Sequence, residues 1–483
     1  MFHRTLDRLI KPMGGFCPLM VGSSLIFVLG SPEATLAVNE SHLKQLLETR
    51  SCPRCDLREA DLEMAQLAGV DLRGANLQGA NLQGANLQGA NLEGANLQGA
   101  QFVFANLADA NLQRTTVGVQ DIRLEPFEWP SIGVNLALLQ RWGLFLPQES
   151  QIPLDSSERL VLKKEKEKEE EEEEEEVVAN FDLADLQRAD FSQSQLNRVR
   201  FNRANLSNSN FSSSLLIEAE LERANLTGSR FFVADLRRAN LAGATFNGAN
   251  LTGADLSQSN LETATGRGAN FDGVNLTQVN LNDTRFIDAN FAGAILGGAR
   301  LRRGVFRGAS FSQGKLGGAV LQGGDFTGAD FHGADLGGAY LLEGNFSRSS
   351  FAIANLTNAD LSGATLTSAY FFGATLTNSN LTGVDLSLGT LSKANLAGVQ
   401  LLGANLRQAN LTQAHLREAD LTYTNLTQAD LSGANLYQAD LRGADLQAAD
   451  LSGAYLIETD FTDANLTDTI FKGAIRWVSS GGG

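Results

Sequence analysis

The sequence predicts an all-β solenoid, a four-sided coil built from one short repeat. Between Phe181 and Phe471 a large apolar residue returns at every fifth position, and 58 of the 59 positions in this series are Leu or Phe. A period of five matches neither the 3.6 of a helix nor plain strand alternation, but it suits a short extended segment followed by a turn. We call each such position a centre, i.

The residues around each centre indicate which side of the coil is buried. Position i−2 is usually Ala and position i−1 is usually Asp or Asn, as in residues 429 to 433. Side chains alternate along extended backbone, so i−2 and i share one face, and its apolar composition places it inside. The other positions hold Asp, Asn, Ser, Thr, Gln, Arg and Gly, which suit a wetted surface and a turn.

The number of sides follows from the placement of Phe. Counted in steps of twenty from 181, 186, 191 and 196, the four columns of centres contain three, five, ten and no Phe residues. Four repeats per coil explain this sorting, because like residues then stack in successive layers. About fifteen coils at ~4.8 Å per layer make a rod on the order of 70 Å long. Two of the columns are represented by five core residues. Phe291, Phe311, Phe331 and Phe351 belong to the column with ten Phe residues, and Leu436 belongs to the column without Phe.

The repeat resembles the motif A(D/N)LXX of the pentapeptide repeat family. Examples are Ala-Asn-Leu-Thr-Gly at 249 to 253 and Ala-Asp-Leu-Arg-Gly at 439 to 443, and the match covers residues 55 to 117 and 182 to 475. The resemblance implies a right-handed quadrilateral parallel β-helix. It implies no single function, although some family members bind DNA gyrase and protect it.

Residues 1–37 have the features of an export signal. Basic residues precede an apolar run from Leu19 to Gly30, and the small residues Thr35 and Ala37 suit cleavage after Ala37. Twelve apolar residues fall short of the roughly 20 needed to span a bilayer. We therefore expect export to the periplasm or the thylakoid lumen. An uncleaved membrane anchor and a cytosolic leader are the alternatives.

Residues 38–51 are expected to form a capping helix over the first coil. Leu43, Leu46 and Leu47 have helical spacing, and Asn39 or Ser41 could serve as the N-cap. A solenoid needs such a lid because its open end presents unpaired backbone and an apolar interior.

Cys52 and Cys55 form a Cys-Pro-Arg-Cys motif whose two side chains face inward when counted back from Leu57. Half of a zinc site is excluded, because the sequence has no second Cys pair to complete it. A structural disulfide formed after export is the first interpretation. A thiol-redox role is the alternative.

The rest of the chain divides by composition into a short repeat block at 52–117, a non-repeat insert at 118–162, a charged poly-Glu linker at 163–180, the main block at 181–475 and a C-terminal cap and tail at 476–483. Centres 117 and 181 are 64 apart, which is not a multiple of five. We therefore expect two blocks without a common register that move independently. The insert packs on a coil or binds a partner, and the linker is solvated or binds a basic partner.

Two local features of the solenoid stand out. Gly266 replaces a core Leu or Phe, so a cavity or an inward bulge is expected there, as a local irregularity rather than a ligand pocket. Beyond the last centre, Phe471, Trp477 is the expected plug of the far end.

Charge is the most informative property of the surface. The net charge of −17 disfavours a general nucleic-acid binder and permits a basic partner. A positive cluster is expected from Arg300, Arg302, Arg303 and Arg307. Aspartates twenty apart should form ladders whose like charges repel unless water, salt or a cation intervenes. These ladders are Asp420, Asp440 and Asp460 on one side, and Asp430 and Asp450 on another.

No catalytic, cofactor-binding or metal-binding motif emerges from the sequence. The four His residues are far apart, and the Gly-rich stretches are turn positions of the repeat. We therefore expect a non-enzymatic structural or protein-interaction scaffold without cofactor, whose partner is an unidentified protein and not a nucleic acid, and which meets a membrane only if the N-terminal segment is retained. The alternative function is a DNA-mimicking binder of a type II topoisomerase, gyrase.

Overall fold

A computed structural model describes residues 39–117 and 178–475, together with the backbone of 19–21 and 24–26. Its named elements are the antiparallel strands β1 (Leu19–Val21) and β2 (Ser24–Ile26) and the helix α1 (Glu40–Thr49). Cleavage after Ala37, the insert at 118–162, most of the linker and the plug Trp477 lie outside the described residues. Within these residues, no helix is long and apolar enough to cross a membrane.

The rest of the described chain is a quadrilateral parallel β-helix. Isolated parallel bridges join each i−1 residue to the residue twenty positions later, as in the pairs Asn180 with Arg200 and Asp185 with Asn205. Four repeats therefore complete one coil, as predicted. We name the sides face 1 to face 4, after the columns of centres that contain Phe181, Leu186, Phe191 and Leu196. Corner 1 to corner 4 are the residues i+1 and i+2 that follow each centre.

Every repeat satisfies its backbone in the same way. The N–H of Phe181 donates to the carbonyl of Arg200 in the next coil at 2.7 Å, and the N–H of Arg200 donates to the carbonyl of Ala179 at 3.2 Å. Each corner is closed by a bond such as that from Ala184 N–H to Phe181 C=O at 3.1 Å. Residue i+2 of the corner has a positive φ, which corresponds to a type II turn and favours Gly there.

The core consists of stacked side-chain columns. In face 3 the rings of Phe291, Phe311, Phe331 and Phe351 are parallel within 6°, with centroids 4.8 to 5.0 Å apart. Leu436, in face 4, is fully buried. These five residues occupy the core positions that the period of twenty predicts, and the stacking confirms that like residues lie above one another.

Two adjacent Phe columns crowd the interior and account for glycines at i−2 in face 2. A Cβ atom on Gly324 would lie 2.6 Å from Cε2 of Phe326, and one on Gly344 would lie 2.5 Å from Cε2 of Phe346. Real Cβ atoms do not approach so closely, so Ala, the usual residue at this position, cannot be accommodated unless the ring moves.

Neither the cavity nor the inward bulge expected at Gly266 is present. Gly266 keeps the regular ladder, since its N–H donates to the carbonyl of Arg285 at 2.9 Å. A Cβ atom at this position would lie 2.5 Å from Cε1 of Phe286 and 3.0 Å from Cβ of Phe246. The prediction of a cavity or bulge is therefore wrong, because the neighbouring Phe side chains occupy the space that a core Leu would fill.

The two repeat blocks form one continuous β-helix, so the prediction of separate registers and independent motion is wrong. Bridges join Gln101 to Asn180 and Thr116 to Gln195, pairs separated by 79 residues instead of twenty. The excess of 59 equals the length of the segment Val119–Val177. The chain therefore leaves corner 4 after Val117 and resumes with its register intact.

Helix α1 covers the first coil, as predicted. Its N-cap is Asn39, whose side chain accepts a hydrogen bond from the N–H of His42 at 3.3 Å. Leu46 is buried and Leu43 packs against the core. Nδ1 of His42 accepts a hydrogen bond from the N–H of Asp56 at 3.0 Å, which fixes the helix to the first coil.

Candidate interaction surfaces

The buried polar side chains of the described interior have a structural role. Buried polar side chains satisfy the corners, as where the hydroxyl of Ser209 donates to the carbonyl of Leu206 at 2.6 Å. Among the described residues, no buried side-chain polar atom lacks a partner, and no cluster of three His, Cys, Asp or Glu could hold a metal ion. His332 lies at corner 3 and His415 on face 4, so the fold does not bring them together.

Cys52 and Cys55 lie in the first coil and form a disulfide. Both are buried, and the sulfur of Cys52 lies 3.2 Å from the carbonyl oxygen of His42 in α1. The pair therefore joins the first repeat to the next directly beneath the covering helix. This position suits a structural bond between two inward-facing residues.

The predicted ladder of Asp420, Asp440 and Asp460 is present on face 1, and it contains its own cation. Arg442 lies 2.6 Å from Asp440 and 3.8 Å from Asp460. The hydrogen bond from Arg442 lowers the pKa of Asp440, and the hydroxyl and N–H of Thr462 lower that of Asp460. The repulsion expected between these aspartates is thus offset by Arg442, which the spacing of the aspartates alone does not reveal.

The ladder of Asp430 and Asp450 on face 3 serves the turns. These carboxylates accept the N–H of Ser432 at 2.9 Å and that of Ser452 at 2.8 Å. Asn and Asp side chains at i−1 make the same contact throughout the coil, which is an Asx-type turn. The abundance of Asp at i−1 is accounted for by this role.

The predicted arginine cluster spans corner 1 and corner 2 and is partly neutralised. Arg303 pairs with Asp283 at 2.6 Å, and this hydrogen bond lowers the pKa of that carboxyl group. Arg307 pairs with Asp325 at 2.5 Å. Only Arg300 and Arg302 of the four make no side-chain ion pair with a described residue. The cluster is therefore a weaker positive site than the sequence suggests.

A patch that the sequence analysis missed lies at corner 1 near the N-terminus. Met64 and Phe104 are 67% and 68% exposed, and Leu183 is exposed in the layer after Phe104. All three occupy the i+2 position with φ between 56° and 62°. Met64 covers Gly84, the residue of the intervening coil, so the four residues form a continuous stripe, which we call the corner 1 patch.

A second apolar strip lies along corner 3 and the adjoining edge of face 3. Its exposed members, which we call the corner 3 strip, are Phe232, Val233, Ile353, Tyr370 and Phe372. Val233 and Ile353 are β-branched residues held at φ 54° and 51°, a conformation that such residues rarely adopt. The sequence signal for both surfaces is a large apolar residue at i+1 or i+2, where the repeat otherwise has Gly or a polar residue.

The family described as pentapeptide repeats matches residues 52–114, 179–231, 234–265 and 269–473, which is well over half of the chain. No curated protein matches the chain at a significant level.

Three solved structures are similar to parts of the chain. HetL, a pentapeptide repeat protein involved in heterocyst differentiation regulation in the cyanobacterium Nostoc, is 32% identical over 50% of this chain and 90% of its own, with a TM-score of 0.29. A pentapeptide repeat protein of the Arabidopsis thaliana thylakoid lumen is 32% identical over 22% and 70%, with a TM-score of 0.17. QnrB1, a plasmid-mediated fluoroquinolone resistance protein, is 18% identical over 44% and 91%, with a TM-score of 0.27.

Proposed function

The chain belongs to the pentapeptide repeat family, and from that premise we propose that it is a non-enzymatic scaffold, a rigid rod that binds a protein partner through the corner 1 patch. The partner presents an apolar surface to Met64, Phe104 and Leu183. The observation that carries this proposal is the exposure of these three side chains within four successive layers of one corner, where Met64 covers the intervening Gly84.

The conformation of these residues adds to the support. A non-Gly residue with positive φ costs roughly 1 kcal/mol relative to Gly, and Gly occupies this position in many other repeats. A large apolar side chain there gives up local stability and gains no burial within the described chain. A contiguous exposed apolar patch of this kind is typical of an interaction site.

We also propose that the protein acts after export, in the periplasm or the thylakoid lumen. The Cys52–Cys55 disulfide supports this, because disulfides persist in oxidising compartments. The basic start and apolar run of residues 1–37 support it further. Fractionation of cells that express the full chain, with the N-terminus of the recovered protein sequenced, tests the proposal. Recovery of the uncleaved chain in the cytosol would overturn it.

The partner is tested by placing a photo-crosslinking residue at position 104 in the full chain inside its own cells. The matched control carries the same residue at Asn358, which occupies the i+2 position of corner 4 in a polar stretch. We expect a defined crosslinked product from position 104 that is absent from position 358 and that disappears when Met64 and Leu183 are replaced by Gly. Equal products from both positions, or none from position 104, would contradict the proposal.

The alternative, a DNA-mimicking binder of gyrase, has less support. Mimicry of a phosphate backbone needs uncompensated negative charges at regular spacing. The ladder of Asp420, Asp440 and Asp460 instead holds Arg442 beside it. A supercoiling assay of gyrase with added protein separates the two functions, since a scaffold has no effect on supercoiling at low micromolar concentration.

A further inference from the structure

The corner 3 strip has a spacing that makes it complementary to itself. Phe232 and Phe372 occupy the same i+1 column, 140 residues or seven coils apart, which is about 34 Å at ~4.8 Å per layer. A two-fold axis can run perpendicular to the rod and tangential to the corner. This axis places each column of one copy against the same column of a second copy, with the order of the layers reversed. We propose that two copies of this chain associate side by side and antiparallel along corner 3, with Phe232 of each copy against Phe372 of the other.

The register set by these two Phe residues can be followed along the i+1 column. Positions whose numbers sum to 604 then face each other. Thr252 faces Ala352, and Asp272 faces His332, while the small residues Ala292 and Ser312 lie beside the axis. The column therefore has aromatic contacts at both ends, a polar pair of opposite character between them and close approach in the middle.

The i+2 column of the same corner is apolar at both ends. Its sum is 606, so Val233 faces Gly373 and Gly253 faces Ile353. Within one copy Val233 already covers Gly253 and Ile353 covers Gly373, since a Cβ atom on these glycines would lie 3.7 and 3.5 Å from the two side chains. In this register the two aliphatic side chains, exposed by 46% for Val233 and 55% for Ile353, therefore meet each other across the interface. The strained φ of these two β-branched residues has no local explanation, and burial against a second copy supplies one.

The i−1 column brings an arginine to an aromatic ring. Arg230 faces Tyr370 when the sum is 600, which is suited to a cation–π contact worth roughly 1 kcal/mol. Tyr370 stacks on Phe372 in the same strip, with centroids 6.2 Å apart, and Nζ of Lys393 lies 5.6 Å from the centroid of the Phe372 ring. The aromatic end of the strip is therefore already ordered to receive a cation.

The polar groups of this interface are available. Arg230, Asp272 and His332 are exposed, and within the described residues their side chains make no hydrogen bond or ion pair. Some corner charges elsewhere are paired within the chain, as Arg188 is with Asp109 at 2.5 Å, and others, such as Arg302, are not paired with any described residue. The side chains of Arg230, Asp272 and His332 can therefore contact a second copy without breaking an existing pair.

A parallel dimer is disfavoured by the same residues. With the two-fold axis along the rod, each layer would meet itself, and Asp272 would approach Asp272 of the second copy. Like charges placed together across an interface are costly, so Asp272 selects against the parallel orientation. In closed two-fold symmetry a patch must be complementary to itself, and the antiparallel register meets this requirement at every column.

The expected contact is small. Eight layers of about 4.8 Å and a corner roughly 12 Å wide bury about 460 Å² per copy, or ~900 Å² in total, just under the lower limit for a stable specific interface. We therefore expect a weak association, with a dissociation constant on the order of micromolar. This association is independent of the partner proposed for the corner 1 patch.

Sedimentation equilibrium of the full chain over a range of micromolar concentrations tests the association. The double variant Val233→Gly with Ile353→Gly removes both exposed aliphatic side chains and relieves the strain of their positive φ angles. It should therefore fold at least as well as the original protein, and its dimer affinity should fall at least tenfold. The matched control, Phe104→Gly, removes an equally exposed residue from corner 1 and should leave the dimer unchanged. A monomeric full chain, or loss of the dimer in the control alone, overturns the proposal.

A charge exchange tests the antiparallel register. His332→Asp should weaken the dimer severalfold, because it places two carboxylates together. Adding Asp272→Lys to this variant should recover most of the loss, since Lys then faces Asp. No recovery would contradict the register.

Cysteine crosslinking tests the register independently. Asn250→Cys and Ser350→Cys lie on the i−1 column in facing positions, but five coils apart in one copy. Under mild oxidation the mixture of the two variants should give a disulfide-linked dimer, and each alone should not exceed the background of the unsubstituted chain, which retains Cys17. A dimer from Asn250→Cys alone would place the same layer of both copies together and refute the antiparallel register.

Discussion

Phe102 and Phe181 stack face to face, with ring centroids 4.5 Å apart and planes 5° from parallel, although 78 residues separate them in the sequence. Their contact is the same as that between Phe residues twenty apart elsewhere in the core. The segment Val119–Val177 therefore interrupts the chain without interrupting the column.

Removal of residues 119–177 should leave the β-helix intact. The junction then reads Val117, Gly118, Val178, Ala179, which restores the five-residue register, and Val178→Gly should accompany the deletion because that residue becomes i+2 with positive φ. Loss of a long loop should stabilise the fold by up to about 3 kcal/mol. Thermal unfolding followed by circular dichroism should show one transition at equal or higher temperature.

The matched control for this deletion removes residues 119–176, one residue fewer. A slip of one residue would turn inward-facing side chains outward, so the control should be much less stable. Two separate transitions in the first variant would instead mean that the inserted unit holds the blocks together.

Gly324→Ala should destabilise the protein even though Ala is the usual residue at i−2. The new Cβ atom would meet the ring of Phe326 at 2.6 Å, and overpacking of this kind costs about 1–3 kcal/mol. Phe326→Leu removes the ring, so the double variant should show a favourable coupling energy in a double-mutant cycle. Denaturant unfolding of the four proteins measures this, and strict additivity would disprove the proposed clash.

Glu218→Gln should flatten the acid side of the stability profile. Arg198 and, in the next coil, Arg238 hold the Glu218 carboxylate at 2.9 and 3.3 Å, and the hydrogen bond from Arg198 lowers its pKa below the ordinary 4.5. A lowered pKa contributes stability that is present above the ordinary value and is lost as pH falls through the folded value. Unfolding free energies measured from pH 7 to pH 3 should therefore fall less in the variant. Asp463→Asn, at an exposed corner, serves as the control and should leave the profile nearly unchanged.

Replacement of both Cys52 and Cys55 by Ala should loosen the N-terminal end without unfolding the rod. The disulfide closes a loop of only four residues, so chain-entropy arguments give about 2 kcal/mol at most. Hydrogen exchange should quicken in α1 and the first coil and stay unchanged in the coils around Phe331. A uniform increase along the chain would mean that the end nucleates the whole solenoid.

The interior was predictable from the sequence because it obeys one period. The inward positions, the four sides and the stacking of Phe291 on Phe311 all follow from counting in fives and twenties. The continuity between Val117 and Phe181 did not follow, because the arithmetic of 64 residues assumes that every residue belongs to the coil. The packing at Gly266 could not be predicted either, because the Phe rings that fill the space of its missing side chain belong to neighbouring coils.

The surface was less predictable for a different reason. Asp440 and Asp460 are visible as a ladder, but their neutralisation depends on the rotamer of Arg442, which no repeat count specifies. The exposed residues Phe104 and Ile353 were visible as departures from the turn composition. Their significance needed the φ angles of the corners and the knowledge of which layers are adjacent.

The twenty-residue coil also restricts how such a gene can grow or shrink. The near-identical repeats at 76–100 invite unequal recombination, and gain or loss of a single repeat would rotate everything downstream by a quarter turn. Only gains or losses of four repeats keep Met64 and Phe104 on the same edge. New sequence outside the coil, such as the 59 residues after Gly118, escapes this rule and can diverge freely while the rod keeps its orientation.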